Sequence, residues 1–266
     1  AFGFKPGLGA INRGGSLDYL SQSCIGVLAA SLGDAWVTAR QMAAVVGGDP
    51  GHAPLAGPAG LPPVVRPQAL GVLETPGWGL AEAAARAELE RVAAALRAVG
   101  VRVERRRGLP ALEALETALE EAEALSHEIN AWEWRWPFNV FAARDRAAMS
   151  ATAQARMALG ERLTEDQYLA RLRRRAEMRA LHAPLLGEVD ALLTLSAPGA
   201  APMGLASTGN PVFALPASVL GAPSVSLPVL SVAGMPLGLQ LVGFAGQDAA
   251  LVSVARFVAE VVAAPG

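Results

Sequence analysis

Few side chains in this sequence could carry out catalysis unaided: one cysteine, Cys24, and three histidines, His52, His127 and His182. A cysteine thiolate activated by a histidine base can attack a carbonyl carbon and hydrolyse an amide or an ester. A single cysteine is more often a small core residue, and no distinctive motif surrounds any of the three histidines. We therefore do not predict a cysteine hydrolase.

Residue spacing does not support a metal site or a nucleotide site. His127 stands beside Glu128 and His182 lies shortly before Asp190, but neither pair forms the motif of two histidines one helical turn apart around a glutamate. We predict no metal. The segment "GLGAINRGG" has the wrong glycine spacing for a dinucleotide loop, and no helix is predicted at its second glycine. A glycine-rich turn is the better interpretation.

Composition places the chain among α/β enzymes. The 266 residues are 52% hydrophobic with a mean hydropathy of +0.33, which is enough to bury a substantial core. A net charge of −2 and a pI near 6.0 provide no general attraction to nucleic acid or to a membrane surface. The apolar runs are interrupted by proline, glycine and serine, so we predict a soluble protein. One cysteine excludes an internal disulfide framework and is typical of the cytoplasm.

Strands and helices alternate along the chain. Helical spacing predicts a helix from Leu32 to Val46, and "ALGVLE", a helix ending at Gly100 and "VRVERR" predict a strand-helix-strand unit with parallel strands. Further helices are predicted at about 109–128, 140–159 and 164–181. The strands "ALLTLS", "PSVSLPV" and "PLGLQLVG" and a last helix over 248–262 complete the pattern. The expected fold class is therefore α/β, with a mixed β-sheet core flanked by helices.

Two clusters of large side chains could bind a ligand. In "RLRRRAEMR" the arginines are spread around a helix, which favours a solvated face with salt bridges over a nucleic-acid site. In "NAWEWRWPFN", Trp132, Trp134 and Trp136 would share one face of a strand but would be spread around a helix, and Pro137 is expected to end either element. Most of these indoles should be core residues, whereas at least one could line a pocket for an amide or acyl group.

The two ends of the chain resemble one known family. "GFKPGLGAINRGG" with "DYLSQSCIGVLAASLGDAW" is similar to the stretch that directly follows the nucleophile loop in the amidase signature family. "TGNPVFALPASVLGAPSVSLPVLSVAGMPLGLQLVG" is similar to the C-terminal segment of that family. The likeness covers about the first fifty and the last eighty residues of the chain.

The resemblance implies an amidase without a metal or an organic cofactor. The family hydrolyses amide bonds with a Ser-Ser-Lys triad, in which one serine attacks, a second relays its proton and a buried neutral lysine is the base. These residues precede the resembling stretch, so we expect the triad upstream of Ala1 and assign no catalytic residue here. The family also suggests Ser207, Thr208, Gly209 and Asn210 as pocket residues, although short polar side chains also cap loops.

A substitute triad within the chain is the alternative to an upstream one. Lys5 is the sole lysine, and Ser16, Ser21 and Ser23 are close to it in sequence. The corresponding family lysine belongs to a Lys-Pro turn and is not the base, so we predict that Lys5 is a solvated or backbone-bonding turn residue. The opening "AFGFK" is typical of a strand already in progress, which fits a longer protein.

The sequence thus predicts the C-terminal part of one amidase-like α/β domain, incomplete at its N-terminus. Its expected parts are 1–50, after the nucleophile loop, 64–190, with the strand-helix-strand unit and helices, and 191–266, with the last strands and helix. The predicted function is hydrolysis of small-molecule amide or urea-like C–N bonds, with self-association or a partner subunit. Alternatives are a non-catalytic α/β binding or assembly module and, less favoured, a nucleotide-binding unit at about 68–106.

Overall fold

The computed structural model describes residues 1–15 and 21–263, which form seven strands of one sheet and its flanking helices. The strands are β1 (Phe2–Lys5), β2 (Val27–Ala29), β3 (Ala69–Val72), β4 (Arg102–Glu104), β5 (Ala191–Leu195), β6 (Ser224–Val232) and β7 (Met235–Val242). The helices are α1 (Leu32–Val46), α2 (Ala83–Ala98), α3 (Pro110–Leu119), α4 (Ala122–Glu133), α5 (Arg135–Asp145), α6 (Ala151–Arg162), α7 (Glu165–His182), α8 (Leu215–Leu220) and α9 (Asp248–Ala263).

The sheet is mixed, as the sequence predicts. Its strand order is β2-β1-β6-β7-β5-β3-β4. Strand β3, next to the edge strand β4, pairs in parallel with both β4 and β5, and the predicted strand-helix-strand unit is confirmed as β3, α2 and β4. The other pairs, from β5 through β7, β6 and β1 to β2, are antiparallel. The α/β fold class is therefore confirmed.

Helices cover both faces of the sheet. Every residue of β3 and β5 is buried, which is the pattern of parallel strands covered on two sides. One core packs α1, α2 and α9 against the sheet, and the other packs α3, α4, α7 and α8 against its opposite face. Within β5, Leu192 belongs to the second core and Leu193 to the first, as the alternation of a strand requires. None of the helices in the described part of the chain is long and apolar enough to span a membrane.

Helix boundaries in the middle of the chain differ from the sequence prediction. The helix predicted over 109–128 is two helices, α3 and α4, and the one predicted over 140–159 combines the end of α5 with most of α6. The predicted end of an element at Pro137 agrees with a break in α5: Trp136 has an extended backbone, and a second helical segment starts at the proline, which suits the first turn of a helix. The start predicted at Thr164 is confirmed, because Thr164 and Gln167 form a capping box for α7.

The prediction of a solvated arginine face on α7 is only partly right. Arg171 pairs with Glu128, and Arg174 pairs with Glu121, as expected for a solvated face. Arg175 is only 7% exposed, and Arg179 donates from Nε to the carbonyl oxygen of Val219. These two arginines lie on the inward stripe of α7, one turn apart, together with the buried Met178 and His182.

Helices α4 and α6 approach closely at Gly160. A Cβ atom built on Gly160 would lie 2.3 Å from the carbonyl oxygen of Ala131. We expect Gly160→Ala to destabilise the protein by about 1–3 kcal/mol, because backbone atoms must separate, despite the better helix propensity of alanine. Urea unfolding is the measurement, and Gly187→Ala is the control, since nothing lies within 4 Å of that site. Equal stability of Gly160→Ala and wild type would contradict the tight crossing.

Candidate functional site

A cleft of about 410 Å³ lies where the loop before β2, helix α4 and the segment before α8 meet. We call it the Asn210 cleft. Its lining residues come from both ends of the chain and from the middle helices: Lys5, Gln22, Ser23, Cys24, Glu123, Ser126, His127, Asn130, Arg156, Asn210, Pro211, Val212, Ala214, Leu215 and Ser218. The two segments that carry the family resemblance therefore meet in one cavity.

Asn210 is held at the cleft by a local turn. Its Oδ1 accepts a hydrogen bond of 3.0 Å from the backbone N–H of Val212 and caps the short 3₁₀ helix Pro211–Phe213. Short polar side chains favour this role because they can satisfy the first free N–H groups of a helix. The Nδ2 group forms no hydrogen bond with the described residues, so it can donate into the cleft.

Lys5 bonds to the backbone, as predicted, and is half-buried. Its Nζ donates to the carbonyl oxygens of Ala222 and, at 3.3 Å, of Pro6, and lies 3.9 Å from the Sγ of Cys24. Burial lowers the pKa of Lys5, since the charged form loses solvation. No serine is a partner of Nζ among the described residues, and Ser16 lies outside them.

Ser21 belongs to a different polar network. Its Oγ donates to Glu133, whose carboxylate also accepts from the Ser21 N–H at 2.9 Å and from the Tyr168 hydroxyl at 3.0 Å. Arg175 donates to the Ser21 Oγ at 2.7 Å. Burial, with the charge of Glu133, raises the pKa of Tyr168 to about 12, so its hydroxyl stays a donor. This network ties the loop before β2 to α4 and α7.

Gln22 and Asn130 connect the same loop to the wall of the cleft. The Nε2 of Gln22 donates to Asn130 Oδ1 at 2.7 Å, and Asn130 Nδ2 donates to Ser126 Oγ at 3.4 Å. All three residues line the Asn210 cleft. Sequence reasoning missed them because their contacts span distant parts of the chain, although "DYLSQSC" lies within the stretch that resembles the family.

The three tryptophans do not share one face. Trp132 and Trp136 line a second cavity of about 630 Å³, the tryptophan cavity, which shares no lining residue with the Asn210 cleft. Trp132 stacks on Tyr168 with ring centroids 5.2 Å apart, while Trp136 is 56% exposed. Trp134 is buried and lies 5.0 Å below the guanidinium of Arg156, which lines the Asn210 cleft. The helical arrangement spreads the indoles, as the sequence argument expects for a helix.

The other predicted pocket residues lie in an exposed loop. Ser207, Thr208 and Gly209 precede Asn210 and do not line its cleft. Ser207 Oγ accepts from the backbone N–H of Gly209 at 3.1 Å, which is the loop-capping role that the sequence left open. Asn210 is thus the residue of this group that the structure brings together with Lys5.

Metal-binding and cysteine chemistry have little support in the described residues. They contain no group of three or more histidine, cysteine, aspartate or glutamate side chains that could hold a metal ion. Cys24 and His127 both line the Asn210 cleft, yet the hydrogen-bond partner of Cys24 Sγ in the described part of the chain is Lys5. What the cleft provides is an amide donor, a half-buried amine and a wall of apolar surface with several polar side chains.

Comparison with known proteins gave one family and several similar folds. The model of the family described as "Amidase" matches residues 1–252. A crystal structure of an amidase is 24% identical with a TM-score of 0.73, over 95% of this chain and 56% of its own chain. A 6-aminohexanoate cyclic dimer hydrolase is 20% identical with a TM-score of 0.73, and the match covers 99% of this chain and 61% of the hydrolase chain. The allophanate hydrolase of Kluyveromyces lactis is 16% identical with a TM-score of 0.74, and the match covers 98% of this chain and 43% of the hydrolase chain.

The structural matches concern the fold, and this chain spans between 43% and 61% of the length of those three chains. The comparison with curated proteins gave no match.

Proposed function

Because the chain belongs to the amidase family, we propose that it is part of a hydrolase of C–N bonds in small-molecule amides or urea-like compounds. The observation that carries this proposal is the family match over residues 1–252, which includes both segments that meet at the Asn210 cleft. The cleft combines apolar surface with several polar side chains and is of the size of a small substrate, which supports the same function.

We further propose that a Ser-Ser-Lys triad precedes Ala1. In this triad a serine attacks the amide carbon, a second serine relays the proton, and a neutral lysine is the base. Two observations argue against a triad made from Lys5: its nitrogen bonds to backbone carbonyls, and Ser21 is committed to Glu133 and Arg175. The proposed reaction needs no metal and no organic cofactor.

The contribution of this chain is a wall of the substrate pocket. Asn210 has its acceptor fixed by Val212, which leaves the Nδ2 hydrogens for a substrate carbonyl or other acceptor. Arg156 from α6 and Asn130 from α4 line the same cleft. Binding a polar amide there would satisfy groups that water otherwise solvates, and it would orient the substrate toward a nucleophile supplied by the preceding segment.

The substitution Asn210→Asp tests this wall. The aspartate retains an acceptor for the Val212 N–H but loses the donor and adds a negative charge, so we expect kcat/KM of the intact protein on small amides to fall about 10- to 100-fold. Asn139→Asp, in the tryptophan cavity, is the matched control and should change kcat/KM by less than about twofold. The opposite ranking would identify the tryptophan cavity as the substrate site.

Labelling of the intact protein with a fluorophosphonate probe tests the enzyme itself. We expect one labelled serine upstream of Ala1 and loss of amide hydrolysis on labelling. A protein that binds a partner but has no labelled serine would instead be the non-catalytic assembly module. A labelled Ser21 or Ser23 would contradict the upstream triad.

The proposal extends to location and partners. We propose a cytoplasmic enzyme, because Cys24 is a free thiol in a chain that has no second cysteine. Its partners would be a small-molecule amide and either a second copy or a partner subunit. With a net charge of −2, the chain offers no general attraction to nucleic acid.

A further inference from the structure

Another cavity, of about 590 Å³, lies between the loop after β1, the turn after α1 and helix α7. We call it the arginine cavity, because Arg13, Arg175 and Arg179 line it. It shares no lining residue with the Asn210 cleft or with the tryptophan cavity. It is therefore a distinct cavity, although Arg179 is close enough to Lys5 and Cys24 of the Asn210 cleft for their charges to interact.

Two arginines of this cavity are withdrawn from solvent, Arg175 being buried and Arg179 half-buried. Arg175 is only 7% exposed, and Arg179 lies one helical turn further along α7. Burial lowers the pKa of Arg175, and burial together with the charge of Arg175 lowers the pKa of Arg179 to about 10. Two positive charges are thus brought together in a poorly solvated place, which costs free energy unless a negative charge accompanies them.

The nearby carboxylates leave Arg179 without a compensating charge. Asp49 accepts from the backbone N–H of Arg13 at 3.0 Å and from its Nε at 2.8 Å. Glu133, on α4, takes its hydrogen bonds from Ser21 and Tyr168, and its charge favours the ionised form of Arg175 but not that of Arg179. In the described part of the chain, neither Arg175 nor Arg179 forms a salt bridge.

Arg179 has a donor without an acceptor. Its Nε donates to the carbonyl oxygen of Val219 at 3.0 Å, and its Nη2 is buried without a hydrogen-bond partner among the described residues. A buried N–H group that lacks an acceptor is costly, and such groups in folded proteins usually have a partner or a ligand. The ligand that fits must carry negative charge and several acceptor oxygens.

We propose that the arginine cavity binds a small oxyanion, either a carboxylate or a phosphate group, between Arg175 and Arg179. Guanidinium groups present paired N–H donors whose spacing matches the oxygens of both kinds of anion. The cavity has room for more than the anionic group, so the ligand would be an organic molecule that carries it. Binding would compensate the repulsion between the two arginines and satisfy Arg179 Nη2.

Titration calorimetry on the full protein tests the site with two probes, sodium phosphate and sodium acetate, at a constant ionic strength set with sodium chloride. We expect saturable binding of at least one of them, weakened at least about tenfold by Arg179→Gln. Arg173→Gln, on the exposed side of the same helix, is the matched control and should leave the affinity unchanged. Arg179→Lys retains the charge and should weaken binding less than Arg179→Gln.

Each result of the titration either supports or overturns the proposed oxyanion site. Preference for phosphate identifies a phosphorylated ligand, and preference for acetate identifies a carboxylate ligand; both support the site. Absence of saturable binding to the wild-type protein overturns it, as does an equal loss in Arg173→Gln and Arg179→Gln. Amide hydrolysis is not the readout, so failure of the proposed function would leave this test intact.

Discussion

Glu133→Ala is expected to destabilise the protein by about 3–5 kcal/mol, because it removes the acceptor of a buried network and leaves its donors unpaired. Glu133 is buried at the end of α4 and accepts hydrogen bonds from the Ser21 N–H, the Ser21 Oγ and the Tyr168 hydroxyl. It is also the negative charge that favours the ionised form of the buried Arg175. Alanine would leave Arg175 without this compensation, which is costlier than the loss of an exposed ion pair.

Two matched variants separate the network from the helix that carries it. Glu133→Gln retains an acceptor but removes the charge, so we expect an intermediate loss of about 1–2 kcal/mol. Glu128→Ala removes a partner of Arg171 from the more exposed side of α4 and should cost less than about 1 kcal/mol. Urea unfolding of the three variants at one pH measures the differences. A Glu133→Ala variant no less stable than Glu128→Ala would exclude the network as a determinant of stability.

The elements that the sequence predicted correctly are those whose pattern is local. The helix at Leu32–Val46 has a serine cap and a buried stripe, and β3, β5 and β7 are short apolar runs bounded by turns. Where two helices follow closely, as α3 and α4 do, the apolar spacing continues across the break, and one helix was predicted instead of two. The inward turn of Arg175 also escaped prediction, because arginine is normally a surface residue and its acceptor, Ser21, is distant in sequence.

The candidate site could be predicted only in part, because its residues come from parts of the chain that are distant in sequence. Asn210 follows from the resemblance of one segment, and its place beside Lys5 depends on the antiparallel pairing of β1 with β6. Gln22, Asn130 and Ser126 form a chain of amide and hydroxyl contacts between a loop and a helix far apart in sequence. No periodicity marks such residues. Tertiary packing decides which of these residues meet at the cleft, and neither composition nor residue spacing predicts that packing.

Two buried groups give stability opposite dependences on pH. His182 is 4% exposed and stacks on Phe244, and burial lowers its pKa from 6.5 to about 4. Its folded-state pKa is below the unfolded one, so the stability it contributes is present above pH 6.5 and is lost as pH falls through about 4. Glu116 is also 4% exposed, and burial, with the charge of Glu74, raises its pKa from 4.5 to about 7. The stability that Glu116 contributes to the protein is present below pH 4.5 and is lost as pH rises through about 7.

The surroundings of Glu116 explain why its charge is poorly compensated. Its Oε1 accepts from the Glu74 N–H at 2.6 Å, but its Oε2 has no hydrogen-bond partner among the described residues and lies 3.6 Å from the Nε of Arg106. Arg106 also pairs with Glu113, and Arg105 is shared by Glu74 and Glu90. The cations that face this pocket are therefore divided among several carboxylates, and a neutral Glu116 is favoured.

Glu116→Gln should therefore stabilise the protein at pH 8 by about 2 kcal/mol and change stability little at pH 4.5, because the amide retains the acceptor but has no charge to bury. Removing this group also weakens the opposition to the His182 dependence, so the variant should gain stability with pH between 4 and 7 more steeply than wild type. Urea unfolding at several pH values measures both effects, with Glu120→Gln as the control at the exposed end of α3. A stability difference that is the same at pH 4.5 and pH 8 would mean that Glu116 ionises normally in the folded protein.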